Sequence, residues 1–365
     1  MTQVKNKIGI IGLGLIGGSI AKALKKSGKG YVIHAFDRDE DVLKTAFESR
    51  AIDHISNMDD IAGCHVIFLC VPVYAMKQIL IELMPNLAPD TILTDVGSTK
   101  GEVISIIREL NLECQFIGGH PLAGSEKSGF SASKANLFEN AYYCITPSQK
   151  MTKEGVQYFK GLIEDMGAIP IEMTHEEHDK ATAVISHFPH VVAALLVNMV
   201  GCLDDEKHTM KTIAAGGFKD ITRIASSSSD LWTGICLSNK DAILKTIEFF
   251  SEKLKSFEKD LAEGRKEGIW EFFNSARTLR NTLSDRKSLI DKTYAILVDV
   301  DDKPGIIAVI ATALAKENIN IKNIGILNSR ETEEGALEIQ FEDENARQMG
   351  IKALTQLGYR AKEKE

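Results

Sequence analysis

Apolar positions fall into three regimes along the chain. From Lys7 to about Met173, short β-branched runs alternate with longer amphipathic stretches. KIGIIG, YVIHAF, HVIFLCVP, TILTDV, CQFIGG, YYCITP and AIPIEM read as strands, while Ile16–Lys26, Ala75–Met84 and Lys100–Leu110 carry helical periodicity. Strands separated by helices join as βαβ units, which predicts a largely parallel sheet covered on both faces. From about Thr174 to Leu289 the strand signal vanishes. Thr174 followed by Glu177 is a capping-box signature, and helical patterns follow over His178–Cys202 and Lys240–Glu263, with turns marked at Gly216–Gly217 and Ser226–Asp230. From Thr293 strands return as YAILVDVDD, broken at Lys303-Pro304-Gly305. A helix over Ile306–Glu317, the strands INIKNIGILN and GALEIQFED, a helix over Asn345–Leu357 and a last strand YRAKE complete the chain. The order βαββαβ predicts a small α+β, ferredoxin-like module. Three domains are expected: residues 1–173 (α/β), 174–289 (all-α) and 293–365 (α+β).

A length of 365 residues exceeds what one core usually supports, in keeping with that division. The net charge of −8 argues against a nucleic-acid partner, which calls for a basic face, but leaves room for a local basic pocket around an anionic substrate. Six cysteines (Cys64, Cys70, Cys114, Cys144, Cys202 and Cys236) show no CxxC pair and no ligand-like spacing to histidine. They read as small buried side chains in a reducing cytosol, with no disulfide and no metal site. The first apolar run, Ile8–Ile20, holds five glycines, is too short to span a bilayer and precedes no small-residue cleavage site. A cytoplasmic protein with no membrane partner is expected. VVAALLVNMVGCL (Val191–Leu203) is apolar almost all round, as in a helix buried between subunits or inside a large monomeric core.

The candidate chemistry begins at IGIIGLGLIGGS, which contains Gly12-x-Gly14-x-x-Gly17 between a predicted strand and a predicted helix. Gly12 permits a tight turn, Gly14 lets backbone approach a pyrophosphate, and Gly17 lets helix and strand pack closely. The N–H groups of Leu15 and Ile16, at the helix start, suit phosphate. Asp37 closes the next strand 20 residues after Gly17, where an acid meets a ribose 2′-hydroxyl. These features predict a Rossmann-type domain binding NAD. Asp37 favours NAD over NADP, whereas the adjoining Arg38 would reach a 2′-phosphate; Arg38 is read as a solvated charge.

DVGSTK (Asp95–Lys100) and GGHPLAGSEKSG (Gly118–Gly129) follow consecutive strands, at the edge where doubly wound sheets bind ligands. The second stretch is too polar and glycine-rich for a core strand, so Ser98 and His120 are expected on neighbouring loops. Histidine suits general-base work because its unperturbed pKa of about 6.5 lies near operating pH.

Together with SHFPH (Ser186–His190) and GGFKDITRIASSSSDLW (Gly216–Trp232), these motifs resemble the prephenate dehydrogenase family over Ile8 to about Asp285. The remainder, with Asp302-Lys303-Pro304-Gly305 after its first strand, resembles an ACT domain. The resemblance implies NAD-dependent oxidative decarboxylation of prephenate to 4-hydroxyphenylpyruvate. Hydride leaves C4, the 4-hydroxyl proton is withdrawn, and the ring carboxylate departs as CO2 while the ring aromatises. Neither a metal nor a covalent intermediate is needed. His120 is then the base and Ser98 positions it and the hydroxyl, with a touch on the nicotinamide. Arg223 and His190 bind the substrate, and Lys219 adds a second positive charge if its stretch is helical. Glu126 gates the pocket, and Trp232 lines it from the partner subunit. The helical domain forms a homodimer. Asp302, Pro304, Gly305 and Ile306 mark an effector site for L-tyrosine, the end product. His187 is read as a structural histidine, and HEEH (His175–His178) as a polar first helical turn.

Arogenate is an alternative substrate that these residues do not separate from prephenate. A 3-hydroxyacid dehydrogenase is disfavoured by the lack of GxxxKxxxN. A non-catalytic NAD and amino-acid sensor is disfavoured by the intact Ser98, His120 and Arg223.

Overall fold

A computed structural model describes residues 6–124, 127–285, 294–301, 303–327 and 334–364. The chain divides into two compact units, Met1–Lys253 and Leu254–Glu365, the division falling within one long helix.

The first unit opens with β1 (Lys7–Ile11), α1 (Leu15–Lys26), β2 (Val32–Phe36), α2 (Glu40–Glu48), β3 (His54–Ile55), α3 (Met58–Ala62), β4 (Val66–Leu69), α4 (Val73–Leu83), β5 (Ile92–Asp95) and α5 (Gly101–Glu109). The five strands form one parallel sheet in the order β3-β2-β1-β4-β5. Successive side chains of a strand face opposite ways, so Ile8 and Ile10 enter one core with Phe68, while Ile11 enters the other with Ile67 and Leu69. Burial on both faces accounts for the unbroken apolar runs.

Next come β6 (Ile117–Pro121), β7 (Tyr142–Pro147), α6 (Lys153–Asp165) and β8 (Ile169–Glu172). They form a second sheet in which β6 and β7 are antiparallel and β7 and β8 parallel. The largely parallel expectation stops at β6, because no crossover helix separates β6 from β7. A second correction concerns His120, which lies within β6 and not on a loop, opposite Cys144. The glycines before it are sterically required there. A Cβ on Gly118 would strike Thr146, and one on Gly119 would stand 2.5 Å from the Asp95 carbonyl and 2.8 Å from the Tyr143 hydroxyl. A Gly-Gly-His run is thus a strand squeezed between two others.

The helical part contains α7 (His175–Thr182), α8 (Phe188–Leu203), α9 (Thr209–Ile213), α10 (Gly216–Thr222), α11 (Ser229–Ser238), α12 (Lys240–Ala262) and α13 (Lys266–Asp285). The capping box of Thr174 and Glu177 is formed. A π-helical turn, Ala183–His187, joins α7 to α8 just ahead of Pro189, whose missing N–H cannot continue the regular ladder. Gly216 and Gly217 begin α10 and are not the turn expected there. Of the predicted Ser226–Asp230 turn, Ser226 closes a 3-10 turn, and Ser228 caps α11 by accepting the Leu231 N–H.

The second unit ends with β9 (Tyr294–Asp301), α14 (Ile306–Lys316), β10 (Asn323–Leu327), β11 (Glu334–Phe341), α15 (Glu344–Gln356) and β12 (Arg360–Glu363). Its antiparallel sheet has the order β10-β11-β9-β12. Ile296, Val298, Ile339 and Phe341 of the sheet pack with Ile310 of α14 and Leu354 of α15.

Candidate active site

At the end of β1 the backbone of Gly12 has φ +94°, and a Cβ there would collide with the Cys70 carbonyl. A Cβ on Gly17 would strike the Gly12 carbonyl, so that glycine seats α1 against the strand turn. Gly14 differs: nothing lies within 4 Å of its missing Cβ. It caps α1 without any side-chain hydrogen bond, so no cap side chain covers the N–H groups of Leu15 and Ile16. The protein's own packing does not demand glycine at Gly14, and the open space there leaves the backbone accessible to a ligand.

Asp37 braces this loop. Its Oδ2 accepts the Leu13 N–H at 2.6 Å and its Oδ1 the Asp39 N–H at 3.0 Å. A carboxylate has about four acceptor positions, so capacity remains for a ribose. Beside it, a cavity of about 240 Å³ is walled by Met58, Val71, Ala75 and Ile79, with exposed Arg38 at its edge. An apolar slot ending in a carboxylate, next to an uncapped helix, suits the adenosine end of a dinucleotide. Asp37→Ala is expected to weaken NAD+ binding and to narrow the discrimination against NADP+, measured as dissociation constants for both. A wild-type preference for NADP+ would reverse the assignment to Asp37 over Arg38.

Two further segments are locked together by Asp95, at the end of β5. Its Oδ1 accepts the Gly119 N–H at 3.1 Å, its Oδ2 accepts the Gly97 N–H at 2.8 Å, and the same oxygen pairs with the fully buried Lys100 ammonium. The loop carrying Ser98 and the strand carrying His120 are therefore tied through one carboxylate.

His120 is linked to residues that the sequence reading missed. Its Nδ1 lies 2.8 Å from Nε2 of His178, and His178 Nδ1 lies 2.8 Å from Oδ1 of Asp179. Asp179 also accepts the Lys100 N–H at 2.8 Å and the Gly101 N–H at 2.7 Å, the free amides that open α5. Asn239, at the end of α11, donates to the Asp179 carbonyl at 2.8 Å and meets Nδ1 of His187 at 3.0 Å. HEEH is consequently not only a polar turn, since His178 is fully buried. Buried positions 178, 179, 182 and 183 share one face of α7, but His178, Asp179 and Thr182 are polar, so no apolar periodicity marks that face in the sequence. Burial above all, then the charges of Lys100, His178 and His187, holds His120 well below the usual histidine range. Burial takes His187 down to about 4, against the opposing pull of Asp179. His187 Nε2 is buried with no hydrogen-bond partner, so His187 is only half satisfied.

A cationic edge lies nearby. His190 Nδ1 donates to the Ser186 carbonyl at 2.9 Å, and its ring stacks on Trp232 at 3.6 Å and 23°. Trp232 reaches His190 from within the same chain. Burial lowers the His190 pKa, and the positive charge of Arg223 lowers it further, which places the exposed guanidinium in its neighbourhood. Lys219 is exposed on α10, and Arg223 starts the 3-10 turn after that helix. Glu126 and Asp302 lie outside the described residues. Pro304 and Gly305 are exposed, and Gly305 caps α14 at φ +89°, whereas the Ile306 side chain is in the core of its own sheet.

Comparison with known proteins agrees over nearly the whole chain. Residues 20–172 match the family model described as the nucleotide-binding domain of prephenate dehydrogenase, and residues 174–275 the model of its dimerization domain. A prephenate dehydrogenase of Bacillus subtilis is 40% identical over 352 residues, 95% of this chain and 95% of the relative. The solved Aquifex aeolicus prephenate dehydrogenase, in complex with hydroxyphenyl propionate and NAD+, is 31% identical with a TM-score of 0.72, covering 78% of this chain and 100% of that one. A Synechocystis arogenate dehydrogenase structure is 29% identical with a TM-score of 0.67 and the same two coverages. The run His175–Leu203 is long and apolar enough to cross a membrane, but it carries His178, His187 and His190 and falls within the dimerization match. Motif order, site geometry and length-wide similarity converge: the chain belongs to the prephenate dehydrogenase family.

Proposed function

We propose that this chain oxidatively decarboxylates prephenate, with His120 as the general base. The observation that carries the reading is the Asp95 lock, which holds the Ser98 loop and His120 together at the carboxyl edge of the parallel sheet, alongside the dinucleotide loop. Nε2 of His120 takes the proton of the 4-hydroxyl, and Ser98 orients that hydroxyl. When bound, NAD+ supplies the sink for the hydride that leaves C4. Loss of the ring carboxylate as CO2 yields a phenolate, to which His120 returns the proton, so the reaction releases no net proton. Arg223 and Lys219 hold the substrate carboxylates; His190, its Nδ1–H given to the Ser186 carbonyl, lines the substrate site beside the apolar wall of Trp232, and Glu126 is the gate. NADH formation, followed by absorbance with prephenate and with arogenate in parallel, tests the reading. Turnover of arogenate alone would move this chain to the other substrate, and turnover of neither would sink it.

The same reading divides the chain at 1–173, 174–289 and 293–365 and places it in the cytoplasm. Two copies pair through the helical region, where Leu195, Leu203, Leu231 and Phe249 are each more than half exposed in a single chain. The tail acts as an ACT-type, ferredoxin-like regulatory domain for L-tyrosine. Its βαββαβ order and Gly305 at an open helix start support this. A chain ending after Leu289 is expected to remain an active dimer and to lose affinity or cooperativity in tyrosine inhibition. Inhibition with unchanged affinity and a purely competitive pattern would remove the tail from regulation.

A further inference from the structure

The hydrogen bonds behind His120 can be followed donor by donor. Asp179 Oδ1 accepts the Lys100 N–H, and its Oδ2 accepts the Gly101 N–H, so the carboxylate faces donors on both oxygens. Ionised carboxylates only accept, and His178 Nδ1 at 2.8 Å must therefore carry a proton. In a neutral His178 ring this leaves Nε2 as an acceptor. The 2.8 Å contact between that atom and His120 Nδ1 then requires the proton on His120 Nδ1. The remaining nitrogen of His120, Nε2, carries the free lone pair.

We propose that His178 and Asp179 are positioning residues that hold His120 in its Nδ1–H tautomer, present Nε2 as the base, and stabilise the imidazolium formed when the substrate proton arrives. The inference rests on His120 being that base. No covalent step is added: the proton moves from the substrate hydroxyl to Nε2 and back, while the two bonds behind the ring keep their direction. His178 and Asp179 do not touch the substrate. Their effect is to exclude the opposite tautomer, in which Nε2 holds a proton and cannot act.

The arrangement also gives a pH dependence. The charged or titratable groups facing His120 are Lys100 and Asp95 from the β5 end, Cys144 across β7, His178 and Asp179 from α7, and His187 from the π turn. Protonating His120 at Nε2 removes the lone pair and turns the base off, with His178 Nε2 still accepting the Nδ1–H. Burial and the neighbouring Lys100 oppose that protonation, whereas the Asp179 carboxylate favours it. Replacing Asp179 by a neutral group therefore moves the acid limb of kcat to lower pH, even as the plateau falls.

Asp179→Asn in the full-length enzyme is the direct test. Both Asp179 oxygens accept backbone N–H groups, so an amide nitrogen in either place opposes a donor, and the negative charge behind His178 is lost. The expected result is a kcat lower by about 10²–10⁴-fold, with KM for prephenate and Kd for NAD+ within about threefold, and the acid limb displaced downward. Because Asp179 also caps α5, a second pair guards against simple misfolding. His178→Gln can still accept the His120 proton through its amide oxygen and should retain more turnover than His178→Leu. ¹⁵N chemical shifts of the wild-type His120 ring read the tautomer directly, with a protonated Nδ1 expected. A protonated Nε2, wild-type kcat with an unmoved acid limb in Asp179→Asn, or equal turnover of His178→Gln and His178→Leu would overturn the proposal. If His120→Asn itself turned over normally, the base assignment would fall first. An inactive His120→Asn beside a wild-type Asp179→Asn would leave the base standing and remove only the relay.

Discussion

His120→Asn is expected to lower kcat by about 10²–10⁴-fold, the usual worth of a positioned acid or base. Asparagine retains polar atoms to face His178 across the 2.8 Å contact, so the packing behind β6 is largely preserved. It offers no basic nitrogen to the substrate hydroxyl. NAD+ affinity should stay near the wild-type value, because the dinucleotide features sit on β1, α1 and the end of β2, braced by Asp37 and not by His120. Steady-state NADH formation and equilibrium titration with NAD+ separate the two effects. Turnover close to wild type would take His120 out of the mechanism. A loss confined to NAD+ binding would make it a nucleotide-site residue.

Arg223→Ala is expected to raise KM for prephenate by about 10–100-fold with a much smaller change in kcat, matching about 1.5–3 kcal/mol for hydrogen bonds to a charged group. The carboxylate proposed as its partner is present in both ground and transition states, so removing Arg223 should affect binding more than chemistry. Its charge already reaches His190, whose pKa it helps to lower. Arg223→Lys should recover part of the affinity, since the charge remains and the bidentate fork is lost. An unchanged KM in Arg223→Ala would mean that the substrate carboxylates lie elsewhere.

The local features of this protein were legible because each is written in a short stretch. Short, largely unbroken β-branched runs give β1, β2, β4 and β5, and Gly12-x-Gly14-x-x-Gly17 gives the turn into α1. Thr174 and Glu177 build the predicted capping box because both partners lie within one helical turn. The order of elements in residues 294–363 likewise follows from pattern alone.

The misread parts share a cause. His120 was expected on a loop because two glycines weaken a strand by propensity, and only the crowding of Gly119 by Asp95 and Tyr143 makes glycine obligatory there. Gly216 and Gly217 suggest a turn on the same local ground, yet they open α10. His178 and Asp179 look like solvated first-turn residues, yet they close hydrogen bonds to His120, Lys100 and Gly101 across 58, 79 and 78 positions of sequence. Sequence determined the family motifs and the nucleotide loop and marked His120 as the proposed base, since periodicity, turn chemistry and residue type act over a few positions. Tertiary structure alone decided the hydrogen-bond chain behind His120, from which the proposed tautomer follows, because its donors and acceptors meet only after β6, α5 and α7 have packed.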